Sequence, residues 1–162
     1  MSLKEIIQND VKKSMVEKDA IKVSVLRMVL ASVSNREKDK RGKLFKQGEK
    51  DLEKSSLLTD EEVLEVLSSE VKKRRDSIEQ FEKGSRQDLA DKEKKELEIL
   101  NVYLPEQMGE DEIRKIVKEK IVEIGISDPR EMGKLMGALM PLVKGKADGK
   151  LVSKIVQEEL NK

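Results

Sequence analysis

The residues best suited to chemistry lie in one short stretch, EMGKLMGALMPLVKGKADGK, at positions 131–150. Lys134, Lys144, Lys146 and Lys150 place ammonium groups along it, and Gly133, Gly137 and Gly145 lie between them. Lysine beside bare backbone holds phosphate without reacting with it, because the ammonium supplies charge and the missing Cβ allows close approach. From Pro129 to Lys154 the six basic residues Arg130, Lys134, Lys144, Lys146, Lys150 and Lys154 face only Glu131 and Asp148, a local net of +4. Gly133 and Gly137 are four apart and share one helix face; each costs about 1 kcal/mol relative to alanine in a helix interior. Close helix packing or close approach of a partner would each account for them. Gly145-Lys146 lacks the spacing and the preceding strand of a phosphate-binding P-loop. The backbone N–H groups of the helix that follows are a further possible phosphate donor set.

Other chemistry is bounded by what is missing. There is no Cys and no His, so disulfides, thiolate metal sites, cysteine nucleophiles and histidine general bases are excluded. Serine triads and ordinary zinc hydrolases go with them, and nothing in the sequence calls for a metal or a cofactor. Asp88, Glu93 and Glu96 are the candidates for carboxylate chemistry, against a simpler role in helix capping. The run Lys72-Lys73-Arg74-Arg75 reads as a solvated mid-helix face. Met132, Met136 and Met140 recur at helical spacing, which suits core packing or an adaptable binding face. Aromatic residues make up 2% of the chain, namely Phe45, Phe81 and Tyr103. That argues against stacking-based recognition of single-stranded RNA, so any RNA bound would be gripped by shape and backbone.

The elements that must position these residues are helices. Of 162 residues, 36% are hydrophobic and 41% charged, with three Pro and nine Gly; charge is far above the usual ~25%. Such a balance favours helices with one apolar stripe and a charged outer face. Ser2 and Asp19 are expected N-caps, and Thr59 with Glu62 forms a capping box. Val23, Leu26, Val29, Leu30 and Val33 stripe one helix, and Val63, Leu67, Val71, Ile78 and Phe81 another, stopped at Gly84. A further helix bears Leu89, Leu97 and Leu100 and ends at Leu104-Pro105. Beyond it, Ile113 to Ile124 form a helix closed by Gly125, Asp128-Pro129 starts the next, Pro141 kinks or ends that one, and Asp148 caps the last. No alternating strand pattern occurs, so an all-α fold is expected. Its parts are an N-terminal helical domain over residues 1–104 and a three-helix domain over 105–162. The segment REKDKRGKLFKQGEK, with seven basic residues against three acidic, breaks the apolar pattern; residues 40–56 read as a mobile basic loop. The start MSLKEIIQNDVKKSM lacks the apolar run of a signal peptide, and no stretch approaches a membrane span. A cytoplasmic location and no membrane partner follow by default. Net charge is +1, so any polyanion must be held by a local patch.

Read together, these residues resemble the YqeY family, whose C-terminal part is similar to the tail domain of the B subunit of the tRNA-dependent aspartyl/glutamyl amidotransferase. The marks are Leu26-Arg27-Met28, Arg86 with Asp88-Leu89-Ala90, Glu96 with Ile99-Leu100, and Tyr103-Leu104-Pro105. Met132-Gly133-Lys134, Met136-Gly137 and Lys144-Gly145-Lys146-Ala147-Asp148 complete the set, which spans nearly the whole chain. The resemblance implies an all-helical fold in two parts, and a tail that helps hold tRNA while chemistry happens elsewhere. The catalytic part of that subunit has no counterpart in this sequence. Two departures stand out: Pro141, where continued helix is expected, and a longer basic segment around residues 40–56. The expectation is a non-catalytic module that engages tRNA or a tRNA-handling protein assembly through Lys134, Lys144, Lys146 and Lys150, with Gly133, Gly137 and Gly145 permitting approach. Alternatives are an adaptor docking a protein helix on the Met/Gly face, and an accessory factor in carbon–nitrogen ligation with glutamine as amide donor.

Overall fold

The computed structural model describes residues 1–126 and 128–161. Among the described residues there are eight α-helices and one 3₁₀ turn, with no strand, so the fold is all-α as expected. The chain divides into two compact units, Met1–Tyr103 and Leu104–Lys162.

The first unit contains α1 (Leu3–Val16), α2 (Ala20–Lys46), the short α3 (Leu52–Ser55), α4 (Asp60–Lys83) and α5 (Gln87–Asn101). Their starts follow from local hydrogen bonding. Ser2 and Glu5 form a capping box on α1, and Thr59 and Glu62 form one on α4. The Asp19 carboxylate accepts from the Lys22 backbone N–H to cap α2. α4 packs along α5 and α1 along α2, with α2 touching α3, α4 and α5. Ile7, Val11, Val25, Leu26, Val29, Val33, Val63, Leu67, Val71, Ala90 and Leu100 are buried between them. α4 stops at Gly84, but the left-handed residue is the next one, Ser85, at φ 55°. Gly84 itself keeps an ordinary φ of −82° and its N–H closes the last turn onto the Gln80 carbonyl. α5 ends at Asn101, before Leu104-Pro105, and the Tyr103 phenol donates to Asp10 on α1 at 2.6 Å. Burial and the Asp10 carboxylate both push the Tyr103 phenol well above its ordinary range.

Two expectations fail in this unit. Residues 40–56 are not a mobile loop: α2 continues unbroken to Lys46, and α3 lies within the rest of the segment. No residue of α2 after Val33 is buried, so what holds its distal half is charge. Lys4 pairs with Glu37, Arg36 with Glu65, and Lys40 with Glu62, and Lys40 also donates to the Leu57 carbonyl. The missing apolar stripe correctly signals that nothing is buried there, but ion pairs to α1 and α4 replace it.

The second failure is the basic run on α4. Arg74 is not solvated; it is only 3% exposed, and its neighbour Glu70 only 5%. Arg74 Nη1 donates to Glu70 at 3.1 Å, and Nη2 lies 3.2 Å from Glu96 on α5. Glu70 also accepts from the Ser32 hydroxyl on α2 and from Lys73. Arg74 Nε finds no hydrogen-bond partner among the described residues. The register explains the burial, since Leu67, Val71, Arg74 and Ile78 follow one helical face. Lys72 and Lys73 are exposed, as expected of the run.

The second unit holds α6 (Glu110–Ile124), a 3₁₀ turn at Pro129–Glu131, α7 (Met132–Val143) and α8 (Gly149–Leu160). Gly125 ends α6 in the left-handed region at φ 72°, where glycine alone is unstrained. The Asp128 carboxylate accepts from the Arg130 N–H and Pro129 opens the turn. Ile113, Val117, Ile126, Leu135, Leu139, Val143, Val152, Ile155 and Val156 form one core. Arg114 on α6 pairs with Glu110, Glu158 and Glu159, joining α6 to α8. Pro141 neither ends nor replaces helix: α7 runs past it to Val143, because the donor it lacks lies on an exposed side of the last turn.

Breaking the buried ion cluster should be costly, because removing Arg74 leaves two carboxylates facing each other. Arg74→Met is expected to destabilise the protein by about 3–5 kcal/mol in urea titration, and adding Glu70→Gln and Glu96→Gln should recover most of that loss. Burial alone would raise the Glu70 pKa, but hydrogen bonds and charge from Lys73 and Arg74, with the Ser32 hydroxyl, hold it below its ordinary 4.5. Its stabilising contribution is therefore complete above that ordinary value and lost as pH falls through the depressed one. Denaturation midpoints measured on the acid side should fall less steeply for Glu70→Gln than for the native sequence.

Candidate nucleic-acid interface

The open side of α7 is built by its own periodicity. Leu135, Leu139 and Val143 turn into the core and Met132 and Met136 pack against its edge. The opposite side then carries Gly133, Lys134, Gly137, Pro141 and, just past the helix end, Lys144; all five are exposed. A Cβ added at Gly133 or Gly137 would meet nothing within 4 Å. Close helix packing inside this unit therefore does not explain the two glycines. The methionines divide: Met132 and Met136 serve the core, whereas Met140 is 42% exposed beside the glycine face, with Leu142 at 41% further round the helix.

Lys134 sits 4.0 Å from Glu131, one turn earlier, in an exposed pair worth little. Lys144, Lys146 and Lys150 are exposed on the loop from α7 to α8 and the first turn of α8. The loop is firmly shaped. Gly145 is left-handed at φ 74°, a conformation that explains its place between two lysines. Its carbonyl accepts from Gln107 Nε2 at 2.9 Å, and the Lys146 carbonyl accepts from the Met108 N–H at 2.7 Å.

One part of the expected phosphate geometry is not there. The backbone N–H groups of Lys146 and Ala147 both donate to the Val143 carbonyl, and that of Lys150 donates to the Asp148 carboxylate at 2.8 Å. The N-terminus of α8 thus already carries its own anion. Those three N–H groups are thus already used, and the side chains of Lys144, Lys146 and Lys150 are what lies exposed there.

The carboxylates considered for chemistry are not gathered into a site. Asp88 pairs with Arg86 at 3.0 Å on an exposed turn, an arrangement that holds its carboxyl below the ordinary range. Glu96 belongs to the Arg74 cluster and caps nothing. Glu93 is half-buried on α5. Among the described residues no group of His, Cys, Asp or Glu could hold a metal ion, and no helix is long and apolar enough to cross a membrane.

Known proteins share this sequence over most of its length. A protein of Pyrenophora tritici-repentis named altered inheritance of mitochondria protein 41, mitochondrial, is 30% identical over 156 residues, which cover 94% of this chain and 77% of that one. The protein of the same name from Lachancea thermotolerans is 32% identical over 125 residues, 76% of this chain and 60% of the relative. An uncharacterised protein of Schizosaccharomyces pombe is 40% identical over 86 residues, 51% and 70% respectively. The chain spans from about half to three quarters of the length of the first three such relatives. The expectation of a cytoplasmic location is overturned, because these relatives are named as mitochondrial proteins. It had rested on the lack of a leader-like or membrane-spanning run, which does not distinguish one aqueous compartment from another. The family described as Yqey-like protein matches residues 4–160, and with that match and these relatives the chain belongs to the YqeY-like family.

Proposed function

We propose that this chain is a non-catalytic module that holds tRNA, or an assembly handling charged tRNA, on the outward side of α7 and the adjoining lysine loop. The observation that carries the reading is the pair Gly133 and Gly137, bare and exposed on a helix interior with nothing of their own unit against them among the described residues. A sequence that keeps two helix-weakening residues where no packing needs them is suited to a partner whose backbone comes close. Lys134 and Lys144 share that side, and Lys146 and Lys150 extend it. With a local net of +4, this surface favours a phosphate backbone over a neutral partner. The similarity of this part to a tRNA-holding tail points the same way.

A second reading is favoured by Met140 and Leu142, which are exposed on the same helix. In that reading an amphipathic helix of a partner protein lies on α7, with methionine adapting to it.

Electrophoretic shift of unfractionated tRNA at several salt concentrations separates the two. RNA binding should weaken steeply with salt, with each contacted phosphate adding a slope of roughly 0.7–0.9 in log K against log salt. Lys144→Glu with Lys146→Glu should lower affinity at least about tenfold and flatten the slope by about 1–2. A flat salt dependence, or an unchanged double variant, would sink the RNA reading; capture of a protein resistant to nuclease and high salt would support the other. Gly137→Ala gives an independent check. It should raise stability by about 0.5–1 kcal/mol, since the new methyl group meets only solvent, while weakening binding. A variant that gains stability and binds as before would show that the glycine face is not used.

A further inference from the structure

We propose that the outward side of the distal half of α2 is a second, separate binding site for a nucleic-acid strand, which seats a phosphate between Lys38 and Arg41 and a base on Phe45. The proposal does not depend on the α7 reading, since it concerns other residues in the other unit.

Three independent features meet on that side. Val25, Leu26, Val29 and Val33 turn into the core, which leaves Ser34, Lys38, Arg41, Gly42 and Phe45 on the opposite helical face. Phe45 is 72% exposed on this highly charged helix end. An aromatic ring left in water at the tip of a basic helix is the arrangement on which a base stacks. Gly42 lies inside the helix, and a Cβ placed there would meet nothing within 4 Å, so a flat ligand can approach the backbone beside the ring.

The third feature is a hollow of about 330 Å³ beside this face, lined by Ser34, Glu37, Lys38 and Arg41 of α2 and by Glu53, Ser56 and Leu57 of α3 and its end. The cations of α2 divide into two sets. Arg36 and Lys40, on the side facing α4, are neutralised by Glu65 and Glu62. Lys38 and Arg41, on the outward side, have no carboxylate within ion-pair distance among the described residues. The Glu37 carboxylate in the hollow is already engaged by Lys4 and the Leu58 N–H, and Glu53 stands exposed on the far wall. The inward cations thus hold the helix in place, while the outward pair makes no ion pair of its own although Glu37 and Glu53 line the same hollow. That charge, with serine hydroxyls and one ring, is complementary to a phosphodiester carrying a base.

The test is fluorescence anisotropy of a labelled short oligouridylate with the full chain, at several salt concentrations. Lys38→Glu with Arg41→Glu should weaken binding at least about tenfold and reduce the salt slope by about 0.7 per phosphate lost. Phe45→Ala should weaken it about five- to tenfold, with Phe45→Trp restoring it. Circular dichroism checks that helicity is kept; if the charge reversal unfolds the protein, Lys38→Gln with Arg41→Gln should show a smaller loss in the same direction. Retention of oligouridylate binding by Lys144→Glu with Lys146→Glu identifies the site as separate from α7. Affinity unchanged in the folded α2 variants overturns the proposal. So does a Phe45-dependent attachment to phosphatidylserine vesicles without oligouridylate binding, which would make the tip a membrane contact.

Discussion

The first unit depends on a guanidinium that has been taken out of water. Arg74 draws together Glu70 from its own helix and Glu96 from α5, and Glu70 in turn receives the Ser32 hydroxyl of α2. Three helices meet at this charge. Buried ions resist burial strongly, and what makes this one tolerable is that two carboxylates face it and one of them, Glu70, is held further by Ser32 and Lys73. An apolar core slides more readily than such a cluster, because ion pairs demand one geometry. The cluster therefore fixes how α4 and α5 align, and with them the base on which α2 rests.

Much of the fold was legible because capping and periodicity are local. Ser2, Asp19, Thr59, Gly125, Asp128 and Asp148 all mark helix ends as their chemistry dictates. The errors came where tertiary partners overrode local pattern. The basic stretch from about residue 40 has no apolar face and so reads as a loop after a solvated helix end, yet Glu62 and Glu65, far along the chain, pair with Lys40 and Arg36 on the helix that continues through it. Arg74 reads as surface by type, although its phase with Leu67 and Val71 already pointed inward. Pro141 reads as a kink or a stop, but near the end of a helix it forfeits little.

The candidate surface on α7 was legible in composition but not in detail. Glycines four apart and a cluster of lysines could be read directly, and the open side of α7 confirms only that nothing in this unit covers them. What the sequence could not show was how the backbone donors of the loop are used. Lys146 and Ala147 donate their N–H groups to the Val143 carbonyl and Lys150 donates to the Asp148 carboxylate, a matter of turn geometry that residue identities leave open.

The Asp148 carboxylate at the head of α8 has a consequence for selectivity. Tethered a residue or two from the donors it satisfies, it is present there at an effective concentration in the millimolar range or higher. A lone phosphate ion arriving from solution must displace it and gains little by doing so. A polymer that brings several phosphates at once could leave it in place and reach the exposed lysine side chains of the loop instead. On the proposed reading of this surface as a tRNA contact, the resident carboxylate would act as a valence filter, blind to small anions and permissive to long ones.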